Sequence, residues 1–287
     1  MNDRSTAWAT RLSTAAAASV LLWISRTLLG LLVSYPVVLA IRASAMTSGP
    51  DGDAVLFQPG SLLLLELLRV GAPWLASALR VALLLALLSA IVELVPLAMA
   101  LDFLRFPGRP LLERVPRALR LFPKFLLLGA IALLVQAALL LAASLLGAAL
   151  KPALSSLDER LRSITPIALM GLGLFACAWF GGVLDIARAT LVRRELHEGG
   201  ARAALAHALL CARRRPFTVL ARLYPSVAGS VLGFLGAAWL LLRLDPATPS
   251  PRAIALAFGT HQLAVLFAIT WRVRWLAAAL ELSTQSD

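Results

Sequence analysis

Phe125 to Leu150 reads FLLLGAIALLVQAALLLAASLLGAAL, twenty-six residues without a charged side chain. As a helix rising ~1.5 Å per residue it reaches about 39 Å, enough to cross a hydrocarbon core of about 30 Å at a tilt. In water it would have no polar face to turn outward. The solvent around this chain is therefore the bilayer.

The composition agrees. Of 287 residues, 60% are hydrophobic and 15% charged, and the mean hydropathy is +0.84. That places the chain in the membrane class and predicts an all-α integral membrane bundle forming a single membrane domain over 1–287. A net charge of +12 is compatible with nucleic acid as a partner, but the basic residues lie between apolar spans. Contact with anionic lipid explains that placement better, so no nucleic-acid partner is expected. The bias of Arg over Lys and the abundance of Ala and Leu point to a GC-rich bacterial genome. Cys177 and Cys211 have neither metal nor disulfide spacing and read as small packing residues.

Six spans are predicted, at about 15–41, 74–101, 125–150, 166–189, 224–242 and 253–271. The first begins like a signal peptide, but its apolar run is about twice the usual length of a signal's core, so an uncleaved span is expected. Between the spans, three short amphipathic or apolar segments read as interfacial helices, at about 61–70, 110–122 and 202–215. In the second, Leu111, Val115, Ala118 and Phe122 share one helical face. Arg114, Arg117, Arg120 and Lys124 lie on the other, directed at head groups. Arg213, Arg214 and Arg215 give the third segment the same character.

With six spans both termini share a side. That side collects eighteen Lys and Arg, against seven on the other, which predicts cytoplasmic termini in a bacterial inner membrane. The two basic connections are alike. Each follows a Leu-Asp pair (Leu101-Asp102 and Leu184-Asp185), carries an arginine-rich helix, and ends at a proline opening the next span. Duplication and convergent membrane-edge chemistry both account for this. In the fifth span Gly229, Gly233 and Ala237 recur every four residues, a ladder suited to close helix packing, and that span is expected to be a central one.

No HExxH, GxSxG, Walker or dinucleotide motif occurs, so no catalytic residue, metal ligand or cofactor is assigned. His197-Glu198 has no second histidine at metal spacing. The remaining candidates are ionisable groups at membrane depth, where each charge costs about 2.5–3.5 kcal/mol and needs a partner, water or a role. Arg26 and Glu93 lie about 16 and 12 Å from the same ends of their spans, close enough in depth to pair. Arg80 could meet Glu66 of the first short helix. Asp185 and Arg188 are one turn apart and can pair locally. His261, beside Gln262, reads as an interhelical hydrogen bonder.

At DAVLFQPGSLLLLELLR (53–69), LDIARATLVRRE (184–195) and ALLCARRRPFTVLARLYP (208–225), the chain resembles uncharacterised bacterial polytopic membrane proteins. In layout it is similar to the membrane domain attached to some glycerophosphodiester phosphodiesterases. The resemblance implies a six-helix membrane module and carries over no enzymatic residue. Two functions stay open. One is a non-enzymatic protein whose basic helices hold anionic lipid or an acidic protein partner, or pair with a second copy. The other is a small transporter or permease subunit using the intramembrane charges.

Overall fold

The computed structural model describes residues 3–43, 72–154, 159–193, 200–243 and 251–284, and among them every regular element is an α-helix. In chain order they are α1 (Asp3–Ala43), α2 (Ala72–Val92), α3 (Leu94–Arg105), α4 (Leu111–Leu154), α5 (Glu159–Arg193), α6 (Ala201–Arg214), α7 (Pro216–Leu241) and α8 (Pro251–Thr284). Among the described residues six stretches are long and apolar enough to cross a membrane: Ser13–Leu39, Ala76–Arg105, Leu111–Leu150, Ile164–Arg193, Pro216–Leu241 and Ala255–Thr284. The predicted segment at 61–70, with Glu66, lies outside the described residues, as do His197 and Glu198.

Span two follows one helical path with a single irregular residue, Glu93, between α2 and α3, whose backbone stays helical (φ −61°, ψ −18°). Pro96 is the cause: it offers no N–H to the carbonyl of Val92, and its ring presses on that carbonyl. Hydrogen bonding continues through it, from Glu93 N to Ser89 O (2.8 Å) and from Leu97 N to Glu93 O (3.1 Å). Glu93 therefore sits at an irregularity inside a membrane span.

The segment 110–122 is not a separate surface helix, which corrects the expectation. It is the opening quarter of α4, which is continuous through Pro116 and Pro123. Arg114, Ala118, Leu121, Phe125 and Leu128 are all buried, alternating four and three apart, so one stripe runs unbroken past both prolines. Leu111 and Val115, expected to share one apolar face with Ala118 and Phe122, are exposed, while Ala118 is buried. The second basic segment does form its own helix, α6, buried through Ala201, Ala204, Ala208, Cys211 and Ala212. Pro216 ends it by forcing Arg215 out of the helical region (φ −134°) and then occupies the first turn of α7.

The tight core lies at one end of the bundle. It takes Ala18 and Leu22 from α1, 94–101 from α3, the start of α4, 183–192 from α5, α6, Val219 and Leu223 from α7, and 269–282 from α8. The opposite half exposes leucines in quantity, such as Leu83, Leu134, Leu172, Leu232 and Leu256. In a bilayer these face hydrocarbon, where exposure carries no penalty. Helix α8 runs on past Trp271, the expected end of span six, to Thr284. Its last turns are core, with Trp275, Leu276, Ala279 and Leu282 at 1% exposure or less.

α5 and α8 are the central helices. α7 packs chiefly against α8, and its second half is exposed through Leu232, Leu235 and Trp239. The expectation that span five is central is therefore overturned. Its small residues serve a single partner. A methyl group at Gly229 would overlap the Trp271 indole, and one at Gly233 would come within 2.6 Å of Phe267 Cδ1. The ladder is a slot for aromatic rings of α8, closed by Ser226 Oγ donating to Trp271 O (2.7 Å).

Candidate functional site

Among the described residues the spans carry an exposed ion pair, Arg222 Nη1 donating to Glu281 Oε2 (2.9 Å), and three further ionic groups. The first of the three joins α1 to the irregularity in span two: Arg26 Nε donates to Glu93 Oε1, and the two side chains are about one-third exposed. They line a groove of about 540 Å³ between α1 and α2, together with Ser34 and Ser89. Ser89 Oγ is buried and has no hydrogen-bond partner among the described residues.

The second group is built on Asp102 at the end of α3. Asp102 Oδ1 accepts from Arg109 Nη1 (2.8 Å) and Oδ2 from Arg114 Nη1 (2.8 Å). Arg114 is completely buried and spends its other donors on the turn after α3. Nε donates to Arg109 O (3.0 Å), and Nη2 donates to Phe106 O (2.7 Å) and Arg109 O (2.6 Å). The guanidinium lies over the Phe103 ring, 3.9 Å from its centroid. Arg114 thus satisfies the carbonyls that a helix end leaves open. It is not a head-group contact, which corrects the reading of the arginine stripe. Arg117 is half-buried, 5.9 Å from the Phe106 ring centroid, and Lys124 is half-buried as well. Arg120, Arg213, Arg214 and Arg215 are exposed.

The third group centres on Asp185 of α5, fully buried. Its Oδ1 accepts from Arg188 Nη1 (3.0 Å) and Arg272 Nη2 (2.8 Å). Its Oδ2 meets Arg272 Nη1 (2.6 Å) and Trp275 Nε1 (2.9 Å). Both carboxylate oxygens are thereby saturated. The two guanidiniums against one carboxylate leave the group with a formal charge of +1. Arg188 and Arg272 border a cleft of about 430 Å³ between α4, α5, α7 and α8, which also takes in Gln136, Leu223 and Val227. At its wall Gln136 Nε2 donates to Cys177 O (3.2 Å), and Cys177 Sγ approaches Gln136 O (3.6 Å), joining α4 to α5.

The structure thus brings together Arg26 with Glu93 and Asp185 with Arg188. Arg80 is exposed, and its proposed partner Glu66 is outside the described residues. His261 is exposed, its ring 6.5 Å from that of Phe234. The interhelical bonds fall to its neighbour instead: Gln262 Oε1 accepts from Trp23 Nε1 (3.1 Å) and Thr27 Oγ1 (3.2 Å) of α1. Ala237 is half-buried. Sequence reasoning missed Asp102, Arg272, Trp275 and Gln136 as site residues. The Leu-Asp pairs were the available signal for the first, and the one-turn spacing of Arg272 and Trp275 for the next two. Among the described residues no cluster of three His, Cys, Asp or Glu side chains could hold a metal ion.

Among the described residues, six helices long and apolar enough to cross a membrane and a core gathered at one end mark a multi-pass α-helical membrane protein. No protein-family model, no curated protein and no solved structure matches the chain.

Proposed function

We propose that this protein is a non-enzymatic, multi-pass protein of a bacterial inner membrane. Both termini are cytoplasmic, and its basic end engages anionic head groups. One observation carries the reading. At the end where the core is packed, the buried acids Asp102 and Asp185 occupy Arg109, Arg114, Arg188 and Arg272, while Arg105, Arg120, Arg202, Arg213 and Arg214 are exposed. Each such cation near an anionic surface is worth about 1 kcal/mol. In bilayers of mixed phosphatidylglycerol and phosphatidylcholine, the protein should enrich phosphatidylglycerol at this end. Replacing Arg120, Arg213 and Arg214 with Gln should reduce that enrichment; an unchanged lipid shell would count heavily against the proposal. A tag on either terminus should be reachable only from the cytoplasmic side.

A second reading, transport, is favoured by the position of Glu93. There an ionisable group at a helix irregularity pairs with Arg26 and lines a groove with Ser89, whose hydroxyl has no partner among the described residues. In reconstituted vesicles a Glu93→Gln variant should then abolish ion or substrate flux while keeping its fold. If the wild type carries no flux and Glu93→Gln only melts earlier, the pair is a helix lock.

A further inference from the structure

The groups around Asp102 and Asp185 begin alike, as a buried carboxylate with two arginines after a Leu-Asp pair, and end differently. Around Asp102 the buried guanidinium of Arg114 is enclosed by backbone carbonyls, and Nε, Nη1 and Nη2 all have acceptors. Around Asp185 the carboxylate has no capacity left, since four donors share its two oxygens. Arg188, whose side chain is only 11% exposed, spends one N–H on it. Its Nε is buried and has no partner among the described residues. The three-residue group thus carries one cation more than carboxylate, with one buried donor unused.

The cleft beside it has the matching form. Arg188 and Arg272 stand on its border with Gln136, and its other walls include Leu140, Leu223 and Val227, within a volume of about 430 Å³. That is a polar, cationic part joined to an apolar channel among spans. A small inorganic anion would satisfy the arginines and leave the apolar walls unused. An amphiphile satisfies both.

We propose that this cleft is a stoichiometric binding site for one anionic phospholipid, its phosphodiester accepting from Arg188 and Arg272 and an acyl chain lying along Leu140, Leu223 and Val227. The site is separate from the exposed cations of the rim, which attract lipid without selecting a single molecule. A phosphodiester carries one negative charge, which brings the cluster to neutrality. Its oxygens accept the guanidinium N–H groups that Asp185 cannot.

The test is native mass spectrometry of the purified chain equilibrated with equal amounts of phosphatidylglycerol and phosphatidylcholine. The wild type should retain one phosphatidylglycerol per chain, at least tenfold over phosphatidylcholine. Arg188→Gln should lose that preference, and so should Val227→Phe, which fills the apolar part and leaves every charge in place. The rim variant Arg120→Gln/Arg213→Gln/Arg214→Gln should keep the tightly held molecule, so failure of the rim reading and of this one are distinguishable. Added inorganic phosphate should not displace the lipid. Equal retention of the two lipids, a folded Arg188→Gln or Val227→Phe protein that still selects phosphatidylglycerol, or displacement by millimolar phosphate would each overturn the proposal. Should Arg188→Gln fail to fold, Val227→Phe decides.

Discussion

Asp185 and Arg272 lie 87 residues apart in the chain and meet through both oxygens and both terminal nitrogens, at 2.8 and 2.6 Å. That bidentate pair ties the two central helices, α5 and α8, and Trp275 adds an indole N–H from the next turn of α8. Planar fork-to-fork pairing fixes orientation as well as distance, so it sets the rotation of α8 about its axis. The same rotation brings Trp275 and Leu276 into the core.

Replacing Asp185 with Asn should therefore cost more than losing one contact. Two guanidiniums would remain at membrane depth without a carboxylate, a penalty of about 3–5 kcal/mol by analogy with broken buried ion pairs. Thermal unfolding in detergent should show a large drop for Asp185→Asn. A drop no larger than that of a surface variant such as Arg120→Gln would refute the structural role assigned to the pair.

Arg114 and Arg120 are six residues apart on α4 and should behave oppositely. Arg114→Lys keeps the charge but cannot reach Asp102 and the carbonyls of Phe106 and Arg109 together, so a loss of about 3 kcal/mol is expected. Arg120→Lys should stay within about 0.5 kcal/mol of the parent. The pair of melting curves, recorded in one detergent, checks this.

The ring slot on α7 makes a sharp prediction among glycines. Gly229→Ala drives a methyl into the Trp271 indole and Gly233→Ala into Phe267, each destabilising by about 1–3 kcal/mol as overpacking does. Gly236→Ala, three residues on, meets nothing within 4 Å and should be neutral or mildly stabilising. Equal effects at 229 and 236 would show that α8 does not seat there.

Gln262 joins α8 to α1 through Trp23 and Thr27. A double-mutant cycle on Trp23→Phe and Gln262→Leu should yield a coupling of about 0.6 kcal/mol, typical of hydrogen bonds within membranes. His261→Leu, one residue away, should show no coupling to Trp23.

Much of this was legible in residue order because the bilayer imposes long apolar runs and makes them helical. The stretch at 125–150 admits no other reading. Pro96 marked a weak point in span two, and the irregularity at Glu93 follows from its missing donor. Prolines 116 and 123 carried the same signal and misled, since α4 continues through both. A proline removes one hydrogen bond; whether the helix then stops depends on what its neighbours bury, and the stripe from Arg114 to Leu128 keeps this one whole.

The arginines separate the two levels most clearly. Their number and clustering follow from the chain alone, as do the six apolar spans, because charge and hydropathy are properties of each residue in its local run. Which arginine is enclosed and which faces outward depends on helix rotation and on partners many residues away. Arg114 and Arg120 belong to the same basic cluster of one helix, yet one closes the turn after α3 and the other is exposed. Only packing in three dimensions could bring Arg272 to Asp185 and set both Arg188 and Arg272 at the border of one cleft.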